Sequence, residues 1–170
     1  MPDSENIIKG RIAKTLVEEL LKASGCRVYG LGTDLFFENV TQREEEFDKD
    51  KGLGQKIALI PDYIVFGPKN KPVFIEVKFR SDPGSLEEEL LLSREIREKY
   101  WKVKIIVVTL KEKPYFRVLM PPYFGNEQHD GWPVPVVRWH HLEKDKDFGV
   151  DPAQLQRFEK MAQKYYGTRE

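Results

Sequence analysis

The sequence predicts an α/β fold, a mixed β-sheet flanked by helices. Three observations predict it. Apolar residues recur at spacings of three and four near the start of the chain, the period of an α-helix. Two β-rich runs, Tyr63 to Phe66 and Val73 to Phe79, flank the six-residue turn Gly67 to Pro72, which is the pattern of a hairpin. Val103 to Leu110 is apolar almost throughout, as expected of a strand buried on both faces.

The elements follow in order. Residues 5 to 23 form an amphipathic helix with the stripe Ile8, Ile12, Leu16, Leu20 and Ala23, broadened by Val17 and Leu21. Gly25 stops it, and Arg27 to Leu31 is a first strand. Residues 38 to 56 are polar and unpatterned, a surface excursion before the hairpin. Asp82-Pro83-Gly84 breaks the chain after it. Ser85 caps the next helix, with Glu88 completing a capping box. That helix, 86 to 100, carries Leu86, Leu90, Ile96 and Tyr100 as its buried stripe. After the strand Val103 to Leu110, Tyr115 to Met120 is another, ended by Pro121-Pro122. Residues 123 to 150 are turn-rich, and the prolines of their WPVPVV segment suit a sheet edge. Asp151, Pro152 and Gln154 read as N-cap, first helical position and capping-box acceptor of a last helix, which runs to about Tyr166 and ends at Gly167.

Composition sets bounds. A chain of 170 residues is expected to form one domain with a real core. Its 28 basic and 28 acidic residues balance, so a nucleic-acid surface would have to be a local patch. One cysteine, Cys26, excludes an internal disulfide and a multi-cysteine zinc site. No apolar stretch approaches a membrane span, and MPDSENIIKGR lacks the layout of a signal peptide, so a cytoplasmic location is expected.

Chemistry concentrates at the hairpin. Asp62, after Pro61, opens its first strand, and Glu76-Val77-Lys78 lies on its second. Side chains alternate along a strand, so Glu76 and Lys78 share a face while Val77 points away. Phe74 lies on the same face and is expected to be covered, with Phe79 flanking the pair. The hairpin folds Asp62 back beside them. Two carboxylates and an ammonium at one spot suit a divalent metal and hydrolysis. The register decides this: Asp62 must pair opposite Glu76 or Lys78, because pairing with Val77 would turn it to the wrong face.

The residues Pro61, Asp62, Glu76, Val77 and Lys78, with Gly10 and the helix around it, resemble the motif of the PD-(D/E)xK nuclease superfamily, which includes restriction endonucleases and archaeal Holliday-junction resolvases. The resemblance spans residues 6 to 110 and leaves 111 to 170 as a C-terminal extension. It implies a restriction-endonuclease-like αβββαβ core and a metal-dependent endonuclease acting on DNA, branched or double-stranded. Mg²⁺ or Mn²⁺ would be held by Asp62, Glu76 and the Val77 carbonyl, while Lys78 orients or deprotonates the attacking water. A homodimer is compatible with it.

One position departs from the pattern. The resembled resolvases carry a helix glutamate four residues after a glycine, and counting from Gly10 that position is Lys14. Glu18, one turn further along the same face, is the candidate replacement ligand, with an exposed Lys14–Glu18 pair as the alternative. Three converging carboxylates would favour catalysis. A lysine in the metal position would favour a catalytically degenerate member that binds nucleic acid or protein. An unrelated α/β domain with an incidental cluster is the remaining alternative. Lys9, Arg11 and Lys14, with Arg80, form the one basic grouping near the site and are candidate phosphate contacts. Gly52 to Lys56 lacks the Gly-Lys-Ser/Thr ending of a phosphate loop. His129, His140 and His141 read as solvated residues.

Overall fold

The computed structural model describes residues 4–31, 59–82, 84–92, 97, 99, 102–123 and 139–167. Helix α1 spans Ser4–Ala23, strand β1 Arg27–Gly30, β2 Tyr63–Phe66 and β3 Pro72–Phe79. Helix α2 is described over Gly84–Leu92, and Arg97 and Lys99 beyond it are also helical. Strands β4 (Lys104–Val108), β5 (Phe116–Leu119) and β6 (His140–His141) follow, then a 3-10 turn, Leu142–Lys144, and helix α3, Pro152–Tyr166. The strands lie in sequence order in one six-stranded sheet. Among the described strands only β3 and β4 pair in parallel, across the connection that contains α2, so the sheet is mixed.

Strand β4 divides the core by its alternation. Ile106 and Val108 face a cluster with Val17 and Leu20 of α1 and Leu155 and Phe158 of α3. Ile105 and Val107 face a second cluster with Leu86 and Leu90 of α2, Tyr123 and Trp139. Strand β4 is therefore covered on both faces, as its apolar run requires. The register between β3 and β4 extends this division. Ile75 and Val77 belong to the α1–α3 side, which leaves Glu76 beside Ile105 and Lys78 beside Val107 on the α2 side.

Local chemistry explains the helix ends. Gly25 has φ +88. The Cys26 N–H bonds the Leu21 carbonyl and the Gly25 N–H that of Lys22, closing α1 in a Schellman motif. Asp151 caps α3 by accepting the Ala153 N–H at 2.8 Å. Two expected caps are corrected. Ser24 Oγ, not Gln154, accepts the Asp151 N–H, and Gln154 Oε1 is buried without a partner. At α2 it is Asp82 whose carboxylate accepts the Gly84 N–H, while the Ser85 hydroxyl donates to the Asp82 carbonyl.

The α1 stripe also shifts. Ala13, Leu16, Val17, Leu20 and Leu21 are buried, but Ile8 is 57 % exposed and Ala23 is exposed. Strand β6 is an element the sequence did not announce; it lends β5 its outer partner, opposite Arg117 and Val118. The polar excursion 38 to 56 with its Gly52–Lys56 stretch, Pro83, Ile96, Tyr100, His129 and the WPVPVV segment lie outside the described residues. Among those described, no helix is long and apolar enough to cross a membrane.

Candidate functional site

The hairpin register is the one the site requires. The β2–β3 ladder ends with Tyr63 opposite Ile75, and one further step sets Asp62 opposite Glu76. Past that last rung the Asp62 carboxylate turns toward the sheet and accepts the Val77 N–H on Oδ2 at 2.7 Å. Its other oxygen, Oδ1, meets Lys14 Nζ of α1 at 2.8 Å. Asp62, Val77, Lys14 and the Glu76–Lys78 pair are thus brought together.

Glu76 is gripped from two sides. Lys78 Nζ lies 2.8 Å from its Oε1. The Arg97 guanidinium donates to Oε2 at 2.6 Å and to Oε1 at 3.4 Å. Arg97 is fully buried, a forked donor matched to a carboxylate. Lys78 also reaches Glu89 Oε1 of α2 at 3.0 Å, and the Glu89 carboxylate bonds Arg80 through its other oxygen. Lys14, Lys78, Arg80 and Arg97 therefore face Asp62, Glu76 and Glu89 in one network of ion pairs.

The protonation states follow. Burial pushes Asp62 up, the Lys14 charge and the Val77 N–H only partly oppose this, and the Glu76 charge adds a smaller upward push. Burial also pushes Glu76 up, but Lys78 and Arg97 together outweigh it and hold its carboxyl below the ordinary value. Glu89 is likewise lowered by Lys78 and Arg80 against its burial. Burial would lower Lys78, yet Glu76 and Glu89 raise it, so it stays charged. Across the cluster, burial drives the upward shift of Asp62 more than repulsion between carboxylates does.

These residues do not fit a divalent metal as they stand. Of the four oxygens of Asp62 and Glu76, three accept from cations and the fourth from a backbone N–H. Among the described residues no group of three or more His, Cys, Asp or Glu is placed to hold a metal ion. Glu18, the candidate replacement ligand, is not brought to the cluster. Its carboxylate lies 2.6 Å from Lys22 Nζ, which also takes Glu19 at 3.2 Å, so its helix partner is Lys22 and not Lys14.

The basic grouping divides. Lys14 and Arg80 line a cleft of about 460 Å³ with Lys78, Gly10, Ser81 and Ser85. Lys9 does not line it; its ammonium pairs with Glu5, and its carbonyl accepts the Tyr166 hydroxyl. Arg11 is exposed and also outside the lining. Phe79 stacks on Tyr166 at 4.3 Å, whereas Phe74 is 39 % exposed, so the cover expected over it is not there. A larger cleft of about 570 Å³ at the start of α3 brings His141 near Glu143 and Glu159, without forming a metal group. His140 and His141 are neighbours on β6 and project to opposite faces.

Sequence reading missed Arg97 and Glu89. Arg97 was legible in one respect, because it falls seven residues after the buried Leu90 and eleven after Leu86, on the same helix stripe. A charge on a buried stripe announces a buried partner. No family model, no curated protein and no solved structure matches this chain.

Proposed function

We propose that this chain has a PD-(D/E)xK-like core, of the restriction-endonuclease type, whose metal position is filled by Lys14, and that it binds DNA without cleaving it. The observation that carries this reading is the Lys14–Asp62 pair at 2.8 Å. An ammonium at a carboxylate that would ligate Mg²⁺ both occupies the oxygen and repels the ion; at about 4 Å and an effective dielectric near 20, each unit of charge contributes about 4 kcal/mol before screening. The Arg97 and Lys78 grip on Glu76 acts in the same sense. The cleft lined by Lys14, Lys78 and Arg80 supports phosphate binding.

Fluorescence anisotropy with labelled duplex and four-way-junction DNA tests it, run beside a cleavage assay in Mg²⁺ and in Mn²⁺. Salt-sensitive binding without cleavage is the expected result. A second reading, a metal-dependent endonuclease, is favoured by the register that sets Asp62 opposite Glu76 with Lys78 on the same face as Glu76. In that case a metal would displace Lys14, and cleavage lost in both Asp62→Asn and Glu76→Gln would establish it.

A further inference from the structure

We infer that the face of β1, β2 and β3 turned away from α1 and α3 stacks unpaired bases of single-stranded DNA on the rings of Tyr29 and Phe74, beside the Arg27–Phe66 pair. That the strand is DNA rests on the DNA-binding reading; the stacking surface rests on the sheet alone. Register builds it. Tyr29, Ile64 and Phe74 stand opposite one another across the three strands, and Arg27, Phe66 and Pro72 form the next row. Opposed residues share a face. The alternate residues Val28, Val65, Val73 and Ile75 turn to the α1–α3 core, so both rows turn away from it.

What this face exposes suits a flat ligand better than the apolar stripe of a protein helix. Tyr29 is 50 % exposed and Phe74 39 %, whereas Ile64, the aliphatic member of their row, is half-buried. The Arg27 guanidinium lies 5.0 Å from the centre of the Phe66 ring, and Tyr29 meets that ring edge-on at 6.1 Å. Aromatic rings and guanidinium planes are the side chains on which splayed bases stack, and a sheet can present them side by side. A duplex keeps its base faces covered by their neighbours, so this surface selects a single strand.

Charge complements a strand on either side of the rings. Arg27 bonds Asn70 of the β2–β3 turn, where Lys71 is exposed. In the other direction the same face of β3 runs from Phe74 to Lys78, about 13 Å at 3.3 Å per residue, where Lys14 and Arg80 also line a cleft. A sugar–phosphate chain laid across the rings therefore meets cations before and after them, as in a groove that holds a single strand.

The test uses the full chain. Fluorescence anisotropy is recorded with a labelled thymidine decamer, an abasic decamer carrying the same phosphates, a uridine decamer of RNA, and a duplex. Wild type, Tyr29→Ala, Phe74→Ala and Phe74→Trp are compared. Both positions are exposed, so folding is retained, which a thermal melt of each variant checks. The thymidine decamer should bind wild type about tenfold or more tighter than the abasic strand. Each alanine should weaken decamer binding about five- to 100-fold and leave duplex affinity unchanged. Phe74→Trp should keep the affinity, with its added fluorescence quenched by the thymidine decamer and not by the abasic one. Equal affinity for the two decamers, or alanine variants that bind as wild type does, overturns the stacking face, while duplex binding still judges the DNA-binding reading by itself. Tighter binding of the uridine decamer overturns the choice of DNA. A dimer that both alanine variants dissolve, with no decamer bound, gives the face to a second copy of the chain and overturns the inference. Absence of binding to every strand overturns the inference and the DNA-binding reading together.

Discussion

Arg97 Nη1 lies 2.6 Å from Glu76 Oε2 with the guanidinium wholly buried, so the glutamate of the Glu76-Val77-Lys78 motif is tied to α2 by a desolvated ion pair. Removing Arg97 leaves the buried Glu76 carboxylate held by Lys78 alone, so the cost lies toward the lower end of the range, about 3–5 kcal/mol, for breaking a buried ion pair. Arg97→Met should therefore destabilise the protein by that order. Arg97→Met/Glu76→Leu should recover much of the loss, because no charge is then stranded. Urea denaturation of the double-mutant cycle measures the coupling. Additive losses would mean the pair is not the unit drawn here.

Lys14 gives the second prediction. Wild type should show no rise in melting temperature with Mn²⁺, since Asp62 and Glu76 are engaged by cations. Lys14→Glu puts a carboxylate where the ammonium sits and should create a metal-dependent rise. At about ten times the dissociation constant, binding stabilises by about 1.4 kcal/mol. For a chain of this size that is a shift of about 3–6 °C. A rise in wild type that Asp62→Ala abolishes would instead support the endonuclease reading.

The sequence carried much of this. The hairpin, the mixed sheet, the two-faced β4 and the closing of α1 at Gly25 all rest on local patterns, namely alternation, turn chemistry and helix period. Residues 14, 62, 76 and 78 met because the hairpin and one helix face suffice to bring them together. What was not legible depended on distant partners. Ser24 competing with Gln154 for the Asp151 N–H needs α1 packed beside α3. Glu18 turning to Lys22 is a choice between two neighbours on one helix face that spacing alone cannot make. Arg97 bonding Glu76 needs a residue 21 positions further along the chain brought over β3. Strand β6 is two residues long, too short for any periodicity.

Acid stability should separate the carboxylates. Glu76 and Glu89 have folded values below the ordinary 4.5, so the unfolded chain binds protons first. Their contribution is present above 4.5 and is lost as pH falls through the folded values. Asp62 works in the opposite direction. Its folded value lies above 3.8, so protonation favours the folded state as pH falls through it. Glu76→Gln should then flatten the acid limb of a stability–pH curve, and Asp62→Asn should steepen it. Urea midpoints taken between about pH 3 and pH 7 report both slopes. Equal slopes in the two variants would mean the carboxylates are not distinguished as described.

The C-terminal helix supplies the last prediction. Phe158 and Leu155 of α3 join the cluster of Val17 and Leu20 of α1, beneath Ile106 and Val108 of β4. Residues after 110 thus complete a face of the sheet that α1 alone does not cover. Phe158 is 5 % exposed, and truncating a buried phenylalanine to alanine costs about 3–5 kcal/mol through lost transfer energy and the cavity left behind. Phe158→Ala should lower the melting temperature by about 6–20 °C, at 2–4 °C per kcal/mol for a chain of this length. Because α1 and α3 share one core, the loss should appear in a single transition. Far-UV circular dichroism and tryptophan fluorescence, the latter reporting in part on buried Trp139 in the α2-side cluster, should fall together. Two separated transitions would show that α3 unfolds on its own and that the extension is an appendage to the sheet.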